Sequence, residues 1–508
     1  MILDDPDKFK CPNREVTHVS ASDENAIKPS LGMALVPIVL TLLVLGIQLF
    51  YFGDFTPHIP LTIGIAITGL VGLKLGYKWP SIEEGAFHVI NISMPSVSIL
   101  IVVGMIVGVW IASGTVPSLI YYGLKLLSPE IFLAAGMILC STVSVSLGTS
   151  WGTVGTVGLA LMGIGAGFGI PMYWTAGAVV SGAFFGDKIS PLSDTTNLAP
   201  AVTGTNLFDH IRNMLPTTVP SMLIALAIYF VVGFTLIDTS QVSFERIDAI
   251  TSALDDAFWI SPIMLAPALL VIALAVKKQP PIPSLFAGAV VGGLMAIVCQ
   301  GATMHETFTF ANSGYSIDTG VPEIDPLLNR GGIQSMMWTI SLVLLALGFG
   351  GALEKTGCLQ TIIEVIISRV KTFAGIQTSA ILTSVATNTV AGDPYLSIAL
   401  PGRMYAPVYR GIGYSPLNLS RAIEEGGTLV SPLIPWNAGG AFVISALALG
   451  IGDGNFENLL YIPLAFACWL SPVIGIFYAM TGLFSPKSSD EEKQAWQDAG
   501  EPIATIGA

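Results

Sequence analysis

The 508-residue chain is 52% hydrophobic and only 11% charged, against about 25% charged in soluble domains, and its mean hydropathy is +0.73. That composition excludes a water-soluble globular fold, and a formal charge of −13 argues against a nucleic-acid-binding surface. What remains is a polytopic protein of the lipid bilayer.

Residues 1–30 are polar and charged, without a signal-peptide pattern, and are expected to form a cytoplasmic N-tail. Apolar windows follow at 31–52, 61–77, 96–116, 131–146, 154–170, 175–186 and 219–237. They make a first transmembrane half, 31–237, whose repeat unit covers about 81–237. Residues 238–257 read as a loop. Windows at 258–276 and 285–299 form a linking transmembrane pair within 258–301, and 302–326 reads as an extracytoplasmic loop. Windows at 336–352, 379–390, 438–449 and 459–483 belong to a second transmembrane repeat, 327–483, before a loose C-tail, 484–508. A full crossing takes about 20 apolar residues. Several windows are shorter, so the expectation is an all-α polytopic membrane protein of about ten to thirteen segments, with broken or re-entrant helices among them. The five cysteines, Cys11, Cys140, Cys299, Cys358 and Cys468, show no CxxC spacing and read as packing residues.

Two signals suggest an internal repeat of inverted topology. Gly108 and Gly114 match Gly351 and Gly357 at an offset of 243; Gly186 and Ser190-Pro191-Leu192 match Gly427 and Ser431-Pro432-Leu433 at 241; Asn197 matches Asn437 at 240. The helix before Gly114 follows the basic pair Lys74 and Lys78, whereas its counterpart before Gly357 precedes Lys355, Arg369 and Lys371. Since basic residues mark cytoplasmic loops, the two units cross in opposite senses, an architecture common among secondary transporters, and both tails fall in the cytoplasm.

Chemistry concentrates where the apolar pattern breaks. Residues 131–186 contain no Asp, Glu, Lys or Arg and then run into Asp187-Lys188-Ile189-Ser190-Pro191-Leu192-Ser193-Asp194-Thr195-Thr196-Asn197. Polar groups at membrane depth are expensive and mark ion or substrate sites by default. The first repeat offers a hydroxyl-rich run, 141–156, that includes Thr149, and then Asp187, Ser190, Asp194, Thr195 and Asn197. The second offers Asn388, Asp393, Glu425, Thr428, Ser431 and Asn437. Oxygen-only shells suit hard cations such as Na⁺, and a carboxylate among them can exchange a proton for the cation. The expected Na⁺ ligands are Asp194, Asn197 and Asn437, with Asp194 or Glu425 carrying the proton. Each has a structural alternative: Asp187-Lys188 as a surface pair at a helix end, Asp393 as a helix cap before Pro394, hydroxyls bonded back to carbonyls. One of Glu424 and Glu425 can pair with Arg421 on the same helix face, leaving Glu425 as the freer acid. Arg403, Arg421 and Lys188 are the nearby cations able to anchor an organic anion. No Gly-Lys dipeptide and no second His after His305-Glu306 are present, so neither ATP-driven pumping nor zinc protease chemistry is indicated. The chain reads as no enzyme, without a cofactor beyond Na⁺ and H⁺ as coupling ions.

Three segments carry a wider likeness: 186–200 (GDKISPLSDTTNLAP), 331–357 (GGIQSMMWTISLVLLALGFGGALEKTG) and 419–440 (LSRAIEEGGTLVSPLIPWNAGG). In them, and over nearly all of 31–483, the chain resembles the NhaC-type sodium/proton antiporter family of inverted-repeat secondary carriers. The resemblance implies Na⁺/H⁺ exchange in a bacterial or archaeal plasma membrane, commonly by a homodimer. Members also include Na⁺-coupled malate/lactate exchangers and amino-acid carriers, so transport of a small organic acid or amino acid is the alternative.

Overall fold

The computed structural model describes residues 26–235, 244–322, 324–450 and 456–504; most of the expected N-tail with Cys11, and the start of the expected 238–257 loop, lie outside the described residues. Among the described residues the regular elements are helices. α1 (Leu31–Gly46) starts on Ser30, whose hydroxyl caps the Met33 amide, and α2 (His58–Lys74) returns beside it. The 34-residue α3 (Trp79–Ala112) ends at Gly114, which takes φ +78° to turn into α4 (Thr115–Leu126). Next come α5 (Pro129–Leu147), α6 (Ser150–Thr153), which continues through a π turn into α7 (Leu159–Gly167), α8 (Met172–Ile189), α9 (Asp194–Thr203) and α10 (Leu207–Thr235).

The linking region holds α11 (Phe244–Ala257), α12 (Ala266–Val276), α13 (Pro281–Gln300), α14 (Met304–Ser313) and α15 (Asp325–Leu328). The second series is α16 (Met337–Lys355), α17 (Cys358–Arg369), α18 (Phe373–Ala391), α19 (Pro394–Gly411), α20 (Leu417–Gly427), α21 (Ala438–Ala446), α22 (Tyr461–Leu464) and α23 (Phe466–Thr481), before α24 (Asp490–Asp498).

The two series match element by element. α4 and α17 both have 12 residues and follow a left-handed glycine, Gly114 or Gly357. α5 and α18 both have 19 residues and end at left-handed Gly148 and Gly392. Thr149 then caps α6, and Asp393 caps α19. The α3/α16 pair is antiparallel: a Cβ on Gly85, near the start of α3, would strike Lys355 at the end of α16, while one on Gly104 would lie 2.7 Å from the Gly332 carbonyl just before α16.

Three expectations change. The offset is not single: the helix ends at Gly148 and Gly392 are 244 apart, whereas a Cβ on Gly186 would meet the Ser141 carbonyl, Ser144 and Val145 just as one on Gly426 would meet the Ile381 carbonyl, Ser384 and Val385, 240 apart. Ser193 and Asn437, 244 apart, each cap the next helix, while Asn197 lies one turn further along α9. Small residues recur every turn, about 3.6 residues, so a sequence match can slip by one turn. The membrane count also falls. Among the described residues seven helices are long and apolar enough to cross, or nine if the bent pairs Ile247–Ala257 with Pro262–Val276 (87°) and Glu457–Leu464 with Phe466–Thr481 (41°) each count once. α2, at 17 residues, falls just short of that length, and the expected windows on α7, α8 and α18 are not among the helices counted.

Third, segments expected as loops or a loose tail are built in. Residues 244–257 form α11, and α14, closed by a reciprocal Thr303–Glu306 cap, packs on α3. The C-terminal segment is docked on the α19–α20 connection. The Ser488 amide donates to the Gly413 carbonyl (3.0 Å), Ser415 donates to Glu492 (2.7 Å), and Arg410 pairs with Glu501 (2.9 Å).

The core lies along α3, α5, α8 and α16, whereas α10 leaves Leu223, Phe230, Val231 and Phe234 on its outer face, as a lipid-facing helix does. Because a Cβ at Gly426 would lie 2.6 Å from the Ile381 carbonyl, Gly426→Val should separate α20 from α18. The expected loss is about 1–3 kcal/mol, read as a lower melting temperature of the detergent-solubilised protein; an unchanged melting temperature contradicts the packing.

Candidate cation site

Both helix breaks converge on one cavity of about 30 Å³, room for a water molecule or two. Its walls come from both helix series. Thr149, Ser150 and Trp151 arrive after the α5 break, and Pro394 and Tyr395 after the α18 break. α8 gives Phe184 and Asp187, α9 gives Asp194 and Thr195, the turn after α20 gives Thr428 and Ser431, and α3 gives Ser96 and Ile99. Trp151 stacks on Phe442 with centroids 5.1 Å apart.

The carboxylates are held by hydroxyls. Asp187 Oδ2 accepts from Ser150 (2.6 Å), and the Ser193 hydroxyl lies close by, while the buried Oδ1 has no hydrogen-bond partner among the described residues. Asp194, exposed at the mouth, accepts the Thr195 amide on Oδ1 (3.0 Å) and the Tyr395 hydroxyl on Oδ2. Tyr395 also meets Ser96 Oγ at 2.6 Å, so one hydroxyl chain ties α3, α19 and α9 together. Behind the cavity, Glu424 accepts from Thr428 (2.7 Å) and lies within electrostatic reach of Asp187 and Lys188. Asp393 caps Leu396 through Oδ2 (2.9 Å).

Of the residues expected from sequence, the cavity gathers Thr149, Asp187, Asp194, Thr195, Thr428 and Ser431. Asn388 and Asn437 form a knot beside it. Asn388 donates to the carbonyls of Gly426 (3.1 Å) and Gly427 (2.5 Å), Asn437 donates to Asn388 Oδ1 (2.6 Å), and Ser431 donates to Asn437 Oδ1 (2.5 Å). The set Asp194, Asn197, Asn437 is not brought together. Asn197 is exposed and donates to the carbonyls of Pro191 (2.9 Å) and Ser193 (2.6 Å), and Ser190 donates to Val145 (2.7 Å). Glu425 does not line the cavity; it turns to the far side of α20, 3.9 Å from Lys188. Neither arginine reaches the cavity: Arg403 pairs with Glu354 at 2.6 Å, and buried Arg421 donates to the carbonyls of Asn213 (3.3 Å) and Phe484 (2.9 Å).

Sequence reasoning missed Tyr395, Ser96 and Glu424 as site residues. Tyr395 follows the Asp393-Pro394 break directly, which was the available signal; Ser96 sits in an ordinary apolar window, with none. Among the described residues no group of three or more His, Cys, Asp and Glu is arranged to hold a metal. The donor set is hydroxyls with two carboxylates, suited to a hard, weakly held cation.

Comparison with known proteins now adds to this geometry. A family profile described as the Na⁺/H⁺ antiporter family matches residues 25–195 and 182–483. The chain belongs to the Na⁺/H⁺ antiporter family. It is 39% identical over 454 residues to the Na⁺/H⁺ antiporter NhaC of Alkalihalophilus pseudofirmus, covering 89% of this chain and 94% of that protein. It is 37% identical to a malate-2H⁺/Na⁺-lactate antiporter of Bacillus subtilis, covering 87% and 94%, and 35% identical to the arginine/ornithine antiporter ArcD of Halobacterium salinarum, covering 92% and 96%. Membership in this family makes the chain a multi-pass transporter of the plasma membrane and not an enzyme.

The Asn388 knot gives a direct check on the packing behind the cavity. Asn388→Ala leaves at least two buried polar groups without partners, each worth about 1–3 kcal/mol, and should lower the melting temperature by several degrees. Thr389→Ala, which removes only a bond back to the Val385 carbonyl, should change it little. Equal effects of the two contradict the assignment.

Proposed function

We propose that the protein exchanges Na⁺ for H⁺, with the cation held between Asp187 and Asp194 by hydroxyl oxygens of Ser150, Thr195, Thr428 and Ser431. The observation that carries this reading is the cavity lining: two carboxylates and several hydroxyls, no Lys or Arg, in about 30 Å³. An organic carboxylate would find no cationic anchor there and no room. A Na⁺ ion fits the space, and Asp187 Oδ1 offers it a free acceptor. When Na⁺ leaves, a proton on either carboxylate replaces the lost charge, because an ionised carboxylate without a partner is unfavourable at low dielectric. Competition of the two cations for the same oxygens gives exchange.

The antiparallel α3/α16 pair and the matched breaks support an inverted-topology repeat, which lets the cavity open alternately to either side. Both tails are assigned to the cytoplasm from the basic loops. Assembly as a homodimer belongs to the same reading and is checked by the mass of the detergent-free particle. A second reading, Na⁺-coupled exchange of an organic acid or amino acid, has support from relatives named for malate/lactate and for arginine/ornithine.

The test uses purified protein in liposomes that enclose a pH-sensitive dye. A Na⁺ gradient, but not a K⁺ gradient, should drive proton flux with no organic solute present. Asp187→Asn should reduce that flux to background, and Asp194→Asn should at least raise the Na⁺ concentration needed. At low Na⁺ the wild-type rate should fall as the pH drops, because protons compete for the same oxygens. Silence with Na⁺ alone, together with flux once malate, lactate or arginine is supplied, would establish the second reading.

A further inference from the structure

The least expected group near the cavity is the Lys188 ammonium. Asp187 and Lys188 are neighbours on α8, yet Asp187 faces the cavity and Lys188 is fully buried behind it. Its Nζ donates to Ser471 on α23 (3.0 Å) and stands 3.9 Å from Glu425 Oε1 on α20. That separation is beyond hydrogen-bond length, and neither Glu425 oxygen has a hydrogen-bond partner among the described residues. Gly475 gives the Glu425 carboxylate its space, since a Cβ there would collide with it. The other charged or titratable groups around Lys188 are Glu424 and Arg421 on α20, Cys468 on α23 and His210 on α10.

A loose, fully desolvated pair of this kind is a poor source of stability, because desolvation offsets its Coulomb gain. Its fixed charge, however, acts on the cavity. Asp187 and Asp194 are the two carboxylates that line the space for one ion, and Glu424 and Asp393 lie within electrostatic reach of them. Carboxylates attract a divalent cation more strongly than Na⁺. The repulsion from a buried ammonium scales with the charge of the entering ion, so a divalent cation meets twice the penalty of Na⁺.

We propose that Lys188 is the residue that restricts the cavity to monovalent cations. The inference rests on the Na⁺/H⁺ reading above. Lys188 touches no transported ion; it acts through its field, and is a positioning and selectivity residue.

The experiment is the liposome assay with Na⁺ alone and with added Ca²⁺, applied to wild type, Lys188→Arg, Lys188→Met, Glu425→Gln and Lys188→Met/Glu425→Gln. Wild type and Lys188→Arg should exchange Na⁺ for H⁺ with no inhibition by millimolar Ca²⁺. Lys188→Met should lower the apparent KM for Na⁺ about tenfold and make exchange sensitive to Ca²⁺. The double variant, with one charge of each sign removed, should return toward wild-type selectivity, which a merely structural role of the lysine would not predict. A folded Lys188→Met with wild-type KM and no Ca²⁺ sensitivity overturns the proposal, as does wild-type inhibition by Ca²⁺. If Lys188→Met fails to fold, Glu425→Gln decides, because it leaves the ammonium uncompensated and must raise the KM for Na⁺; an unchanged KM overturns the proposal. Absence of Na⁺-driven flux in wild type would instead overturn the underlying Na⁺/H⁺ reading.

Discussion

A helix broken within an apolar layer must satisfy its opened backbone from within the protein, and the site follows from how the two breaks do so. At Gly148 and Gly392 the chain turns left-handed, and the next residue, Thr149 or Asp393, caps the helix that restarts. Each break therefore leaves a helix start and a short run of polar side chains at depth. Packing the two helix series together brings both starts to one cavity, so the solution to a backbone problem also lines that cavity with hydroxyl and carboxylate oxygens.

The same economy explains the division of labour among the polar residues. Asn388, Asn437, Ser431 and the carbonyls of Gly426 and Gly427 satisfy one another and hold the second break rigid. Thr428 joins Glu424 to that wall. Hydroxyls donate to the carboxylates of Asp187 and Glu424 and leave one oxygen of each without a hydrogen-bond partner among the described residues. Groups that are fully satisfied shape the cavity; under the proposed exchange, the free Asp187 oxygen is the acceptor for the cation.

Charge is arranged in layers around this point. Carboxylates face the cavity, and the buried cations Lys188 and Arg421 stand behind them on α8 and α20. Arg403, by contrast, closes a pair with Glu354 away from the site. The C-terminal segment, docked through Arg410, Gly413 and Ser415, braces the connection between α19 and α20, the two helices that bring Tyr395 and Glu424 to the site.

Composition and the absence of charge over 131–186 were enough to determine a membrane protein, and the positions of Gly, Pro and acidic residues located both breaks and the polar segments around them. Asp187, Asp194, Thr149 and Thr428 were legible for that reason: polar residues in an apolar run have few other roles. Which neighbour faces the cavity was decided only by the tertiary structure. Adjacent residues on a helix point about 100° apart, so Asp187 and Lys188, or Glu424 and Glu425, diverge to opposite sides according to how α8 and α20 are rotated in the packing. The match between the two helix series shifts by one turn between the helix ends and the glycine contacts for the same reason. A one-dimensional pattern fixes where a helix is polar; the rotation that sorts its polar residues into ligand, countercharge and scaffold belongs to the contacts between helices.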